Sequence, residues 1–130
     1  MYQLTLKHYF HPFMQSKTAL KTVLPSVLRA NNSKRNTTWL SHFSDSYSLL
    51  EYDQQGNIMD PYQLLPPLNN ESNASLNEGT LAMDAYDELL FRIHPEEEVK
   101  KLKYQKALLD YCKLDTLAMV IIWEHWKSSI

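Results

Sequence analysis

The chain has 130 residues, 44% hydrophobic and 22% charged, with a formal net charge of −2. That length allows one domain at most, or a piece of one, with a modest core, and the balance is that of a folded chain and not a disordered one. So small a net charge excludes a long-range pull toward nucleic acid, leaving only local patches for such binding.

In chain order, residues 4–10 read as a short helix stopped by Pro12. A second helix is expected from Lys17 to Arg29, with Leu20, Val23, Leu24, Val27 and Leu28 at helical spacing. Pro25 lies inside that pattern and must kink the helix or open a new first turn, because it removes a hydrogen bond and crowds the preceding carbonyl. Residues 30–48 turn polar and read as a loop anchored by Trp39, Leu40 and Phe43. Tyr47 to Met59, with Gly56 in the turn, predicts one small hairpin. A second polar loop is expected near 66–79. Two helices close the chain: Leu81 to Phe91, then a long one with Pro95 in its first turn. The long helix runs to about Trp126, either unbroken or broken near Asp110. The fold class is thus mainly α with one small β-hairpin, in a single partial domain over 1–130.

Several chemistries are absent from the pattern. The two glycines, Gly56 and Gly79, form no phosphate loop or dinucleotide fingerprint. No apolar run is long enough to cross a membrane, and no secretory signal opens the chain. The single cysteine, Cys112, cannot form an internal disulfide, which fits a reducing cytosol and predicts a cytoplasmic protein. It reads as a buried, inert thiol. Asn-x-Ser/Thr triplets at Asn31, Asn36, Asn70 and Asn73 then read as loop composition. His8 and His11 lack a second ligand pair, so zinc is not expected. Lys100, Lys101, Lys103 and Lys106 after three glutamates read as a solvated face with pairs such as Glu96–Lys100 and Glu97–Lys101. Arg29, Lys34 and Arg35 make a weak phosphate-contact signal, and Trp123 and Trp126 read as core.

One segment carries a chemical signature. Tyr111 and Asp115 are four residues apart, so on a helix they lie about 40° apart on one face. Asp115 is flanked by Leu114, Leu117, Ala118, Met119 and Ile122, and an ionised carboxylate there needs a cation or hydrogen-bond donors. A phenol beside a metal-bound carboxylate can orient a water or polarise a phosphate. The plain alternative is a rim acid beside a packed aromatic, and the spacing alone leaves both open.

The segment 111–120 resembles the closing motif of a bacterial family, the domain of unknown function numbered 2779, which is similar to DEDDy-type 3′–5′ exonucleases of the ribonuclease H-like superfamily. Three further stretches carry the likeness: 21–25 (Lys-Thr-Val-Leu-Pro), 56–67 (Gly-Asn-Ile-Met-Asp-Pro through Pro-Pro) and 79–86 (Gly-Thr-Leu-Ala-Met-Asp-Ala-Tyr). The resemblance implies the C-terminal portion of a ribonuclease H-like α/β domain, whose other carboxylate motifs stand upstream of Met1. It implies Asp115 as a metal ligand and catalytic acid, Tyr111 as the catalytic phenol and Lys21 as a nucleic-acid contact. Mg²⁺ or Mn²⁺ would bind when the site is completed, and none is expected on the isolated chain, because one carboxylate cannot hold two ions. The chain departs from the family before Lys21, where Ser16-Lys17-Thr18-Ala19-Leu20 replaces a Gly-Ser-x-Ser-type run. The implied partners are nucleic acid in the complete domain and the upstream segment or a second copy. The rival expectation is a non-catalytic helical module that works by protein–protein contact, its apolar helix faces left uncovered.

Overall fold

The computed structural model describes Gln3, Lys7, Tyr9 and residues 11–15, 19–30, 33–67 and 79–128. It is mainly helical, and among the described residues four helices stand out: α1 (Leu20–Ala30), α2 (Lys34–Ser41), α3 (Gly79–Phe91) and α4 (Glu98–Ser128). Two compact units divide the chain, Met1–Pro61 with Asp115–Ile130, and Tyr62–Leu114. Most of the expected helix over 4–10, Lys7 and Tyr9 apart, and most of the loop over 66–79 lie outside the described residues.

In the first unit, α1 forms because its apolar residues recur every three and four positions. Val23, Leu24, Val27 and Leu28 are all almost fully buried, each contributing about 1.5–3 kcal/mol relative to exposure. The helix continues through Pro25. Proline cannot donate to the carbonyl four residues back, while the next hydroxyl, Ser26 Oγ, donates to the Thr22 carbonyl at 2.9 Å. A 3₁₀ turn at Pro12–Met14 packs on α1, and the Arg29 guanidinium lies over the Phe13 ring at 3.9 Å.

Helix α2 corrects the expectation of a loop over 30–48. Ser33 caps it by accepting the Asn36 N–H at 3.2 Å. The Thr37 and Thr38 hydroxyls donate back to the Lys34 carbonyl, so polar side chains that would compete with the helix bond within it. Leu40 and Asn36 are buried from this helix and Phe43 just after it, while Trp39 stays half-buried with Arg35 5.9 Å from its ring.

The hairpin exists in reduced form, as one antiparallel bridge between Tyr52 and Ile58. Asp53 Oδ1 organises the turn by accepting the N–H groups of Gln55 (2.8 Å) and Asn57 (2.9 Å). These bonds, that from Asn57 first, hold the Asp53 carboxyl below its usual range. Gly56 sits at φ +82, in the left-handed region.

In the second unit, Tyr62, Leu65, Ala85, Tyr104, Tyr111 and Leu114 are buried. α3 ends with the Arg92 and Ile93 N–H groups both donating to the Glu88 carbonyl. Pro95 is not in the first turn of α4. The Glu97 N–H donates to the His94 carbonyl at 2.9 Å, which puts Pro95 at the second position of a β-turn, a site its fixed φ suits. α4 then starts at Glu98 and runs 31 residues without a break at Asp110, about 46 Å at 1.5 Å per residue. Glu96 and Glu97 precede the helix, so the pairs expected from them give way to Lys100–Glu88 (3.4 Å) and Lys106–Asp110 (3.7 Å).

Gly56→Ala is expected to lower the unfolding free energy by about 1 kcal/mol and Gly56→Asn by less, because asparagine tolerates the left-handed region. Urea denaturation of the two variants checks this; equal stability of Gly56→Ala and the parent would contradict the turn geometry.

Candidate functional site

The sequence-predicted residues sit on two helices. Tyr111 and Asp115 lie one turn apart on the unbroken α4, and Lys21 is half-buried in the first turn of α1. The division between the units falls between Leu114 and Asp115, so Tyr111 counts with the second unit and Asp115 and Lys21 with the first.

Tyr111 is 8% exposed, and its ring is tilted against that of Tyr62 at 6.1 Å. Its ring is thus part of a packed aromatic pair. Asp115 is half-buried, with Leu114, Ala118 and Ile122 buried beside it in sequence and Leu117 half-buried. Met119, expected among its apolar neighbours, is 41% exposed. The donor set does not fit a two-ion cage. The motif supplies a single acid, and among the described residues no three of His, Cys, Asp and Glu converge, whereas a hard divalent ion takes about six oxygen ligands.

The weak phosphate-contact signal also resolves into structural roles. Arg29 covers Phe13, and Arg35 Nη1 bonds Glu124 Oε2 at 2.9 Å, across 89 positions of sequence. That pair lines a partly open pocket of about 290 Å³, together with Ser33, Asn36, His125 and Ser128. Arg35 is neutralised there by Glu124, so this pair adds no net charge to the wall.

Beside this pocket lies a cluster that no local signal announced. Tyr9 Oη is 3.3 Å from His125 Nε2. The two rings meet edge-on at 5.6 Å, and Trp126 lies 5.8 Å from Tyr9. Burial holds the His125 imidazole below its usual range and the charge of His11 adds to this; burial raises the Tyr9 phenol. Trp126 is half-buried, as a core reading allows, but Trp123 is 56% exposed. Cys112, expected to be buried, is exposed, because it lies about 120° around α4 from the side that buries Tyr104, Leu114, Ala118 and Ile122.

Among the described residues, seven exposed large apolar side chains fall in the second unit. Helix α3 presents Met83 (74% exposed), Tyr86, Leu90 and Phe91 to solvent, and the first half of α4 presents Val99, Leu102 and Leu109 (70%). Met83, Tyr86 and Leu90 share one side of α3, with Ala85 buried on the other. Leu102 and Leu109 share one side of α4, across from Tyr104 and Tyr111. The apolar residues around α3 were visible in the sequence; which of them would be left in water was not. Among the described residues no helix is long and apolar enough to cross a membrane. Comparisons of the chain with protein-family models, with curated proteins and with solved structures return no match.

The pKa of His125 in the fold lies below the unfolded value of about 6.5. The stability it contributes is therefore fully present above that value and is lost as pH falls through the folded pKa. Urea denaturation between pH 8 and pH 5 is expected to show a larger loss in the parent than in His125→Gln. Parallel profiles would contradict the assignment.

Proposed function

We propose that the chain is a helical interaction module, which acts by packing the outward apolar sides of α3 and of the first half of α4 against other polypeptide. The observation that carries this reading is the exposure of Met83, Tyr86, Leu90, Leu102 and Leu109 within one unit of about fifty residues. Among the described residues, Met83, Tyr86 and Leu90 on α3 and Leu102 and Leu109 on α4 each leave more than half of their surface in water, and apolar helix faces left open in this way mark interaction sites.

A second reading is favoured by one observation, the Tyr111–Asp115 spacing on an unbroken helix with the acid half-buried. In it the chain is the C-terminal segment of a DEDDy-like, metal-dependent nuclease domain of ribonuclease H-like fold. Asp115 would hold Mg²⁺ or Mn²⁺ together with carboxylates of another segment, and Tyr111 would have to leave its contact with Tyr62. Lys21 would face nucleic acid. Both readings require another polypeptide, and the first asks for no rearrangement.

The readings separate by experiment. Serine at Tyr86 and Leu109, measured at sub-micromolar concentration, is expected to change unfolding free energy by less than about 0.5 kcal/mol each, and to reduce binding of an apolar fluorescent dye to the folded protein. A cost above about 2 kcal/mol would mark these side chains as core and end the first reading. Neither reading expects Asp115-dependent cleavage of DNA or RNA by this chain alone with Mg²⁺ or Mn²⁺, judged against Asp115→Asn; cleavage lost in that variant would contradict both and mark a complete catalytic site.

A further inference from the structure

The two outward faces of the second unit differ in charge as well as in position. On α3 the stripe of Met83, Tyr86 and Leu90 is bordered by Asp84 and Asp87, both exposed. On α4 the stripe of Leu102 and Leu109 is interleaved with Lys106 and Lys113, both exposed and within about 60° of those leucines around the helix. One face is apolar with acids at its edge; the other is apolar with lysines along it. We propose that the α3 face of one copy of this chain docks on the α4 face of a second copy. This rests on the interaction-module reading and names its partner.

Complementarity is what selects a second copy and this pairing. Packing α3 on α3 would bring Asp84 and Asp87 near their own counterparts, and α4 on α4 would oppose Lys106 and Lys113. Like charges across an interface disfavour those arrangements, while α3 on α4 sets acids opposite lysines. The apolar stripes supply the burial. The lysine stems extend it, since their methylenes lie along apolar surface while the ammonium groups stay wet. The Lys106–Asp110 pair (3.7 Å) and the Arg92–Asp87 pair (4.0 Å) are exposed, long contacts, and such pairs are worth at most about 1 kcal/mol. They do not prevent either residue from meeting a partner's charge.

Sedimentation equilibrium of the full chain, up to about 100 µM, tests the pairing through two charge-reversed variants. One carries Asp84→Lys with Asp87→Lys and the other Lys106→Glu with Lys113→Glu. The parent is expected to self-associate. Each variant alone is expected to associate at least about tenfold more weakly, and an equimolar mixture of the two is expected to recover parental affinity. All four positions are exposed, so circular dichroism should report folded variants. A parent that stays monomeric throughout overturns the proposal, and so does self-association indifferent to both reversals or not restored in the mixture. A monomer whose Tyr86 and Leu109 substitutions still behave as surface changes would point to a different protein as occupant, and the interaction-module reading would survive without this partner.

Discussion

A helix at the surface of a fold turns one side toward its own chain, and α3 and α4 carry apolar residues on two. On α4, Tyr104, Tyr111, Leu114, Ala118, Ile121 and Ile122 take the inner side, yet Leu102, Leu109, Val120 and Trp123 remain in water. α3 repeats the pattern, with Ala85 buried and Met83 and Leu90 exposed. A helix that is apolar all round belongs in the interior of something larger. Each such side chain left in water forgoes about 2 kcal/mol of burial, and that unrealised free energy is available to whatever covers it. The sharp contrast within the first unit supports the same view: α1 is also surrounded by apolar residues at its centre, and there Val23, Leu24, Val27 and Leu28 are all buried.

Against that constraint the Tyr-x-x-x-Asp motif takes second place. Its geometry on α4 is the expected one, because an unbroken helix must place residues four apart on one side. The same helix puts Tyr111 into a ring contact with Tyr62 and holds Asp115 half-buried one turn on. A buried ring packed on a second tyrosine contributes to the stability of the fold. The nuclease likeness and the docking faces are compatible in one respect, since an incomplete nuclease domain would also need its apolar helix sides covered.

Periodicity made much of the architecture legible. The spacing of Val23, Leu24, Val27 and Leu28 located α1, the apolar content of 81–91 located α3, and Gly56 located the turn. α2 escaped because its residues are Lys, Arg, Asn and Thr, poor signals for a helix. The information was there in Ser33, whose hydroxyl caps the helix, but no glutamate three residues on completes the usual capping pair. Pro95 was placed in a helix when its fixed φ served the turn before it equally well. Cys112 was expected inside because cysteine usually is, yet its angle around α4 decides otherwise. The long-range contacts, Arg35 with Glu124 and Tyr9 with His125, join positions 89 and 116 apart. No local pattern could reveal them, because each depends on how separate elements return to one another.

The central claim is that the outer sides of α3 and α4 are contact surfaces in use, and hydroxyl-radical footprinting of the intact chain over a range of concentrations addresses it side chain by side chain. The account predicts that labelling of Met83, Tyr86 and Leu109 falls as concentration rises, while that of Phe13, exposed in the other unit, stays constant. Labelling of Met83 and Leu109 that is strong and unchanged from dilute to concentrated solution would contradict it.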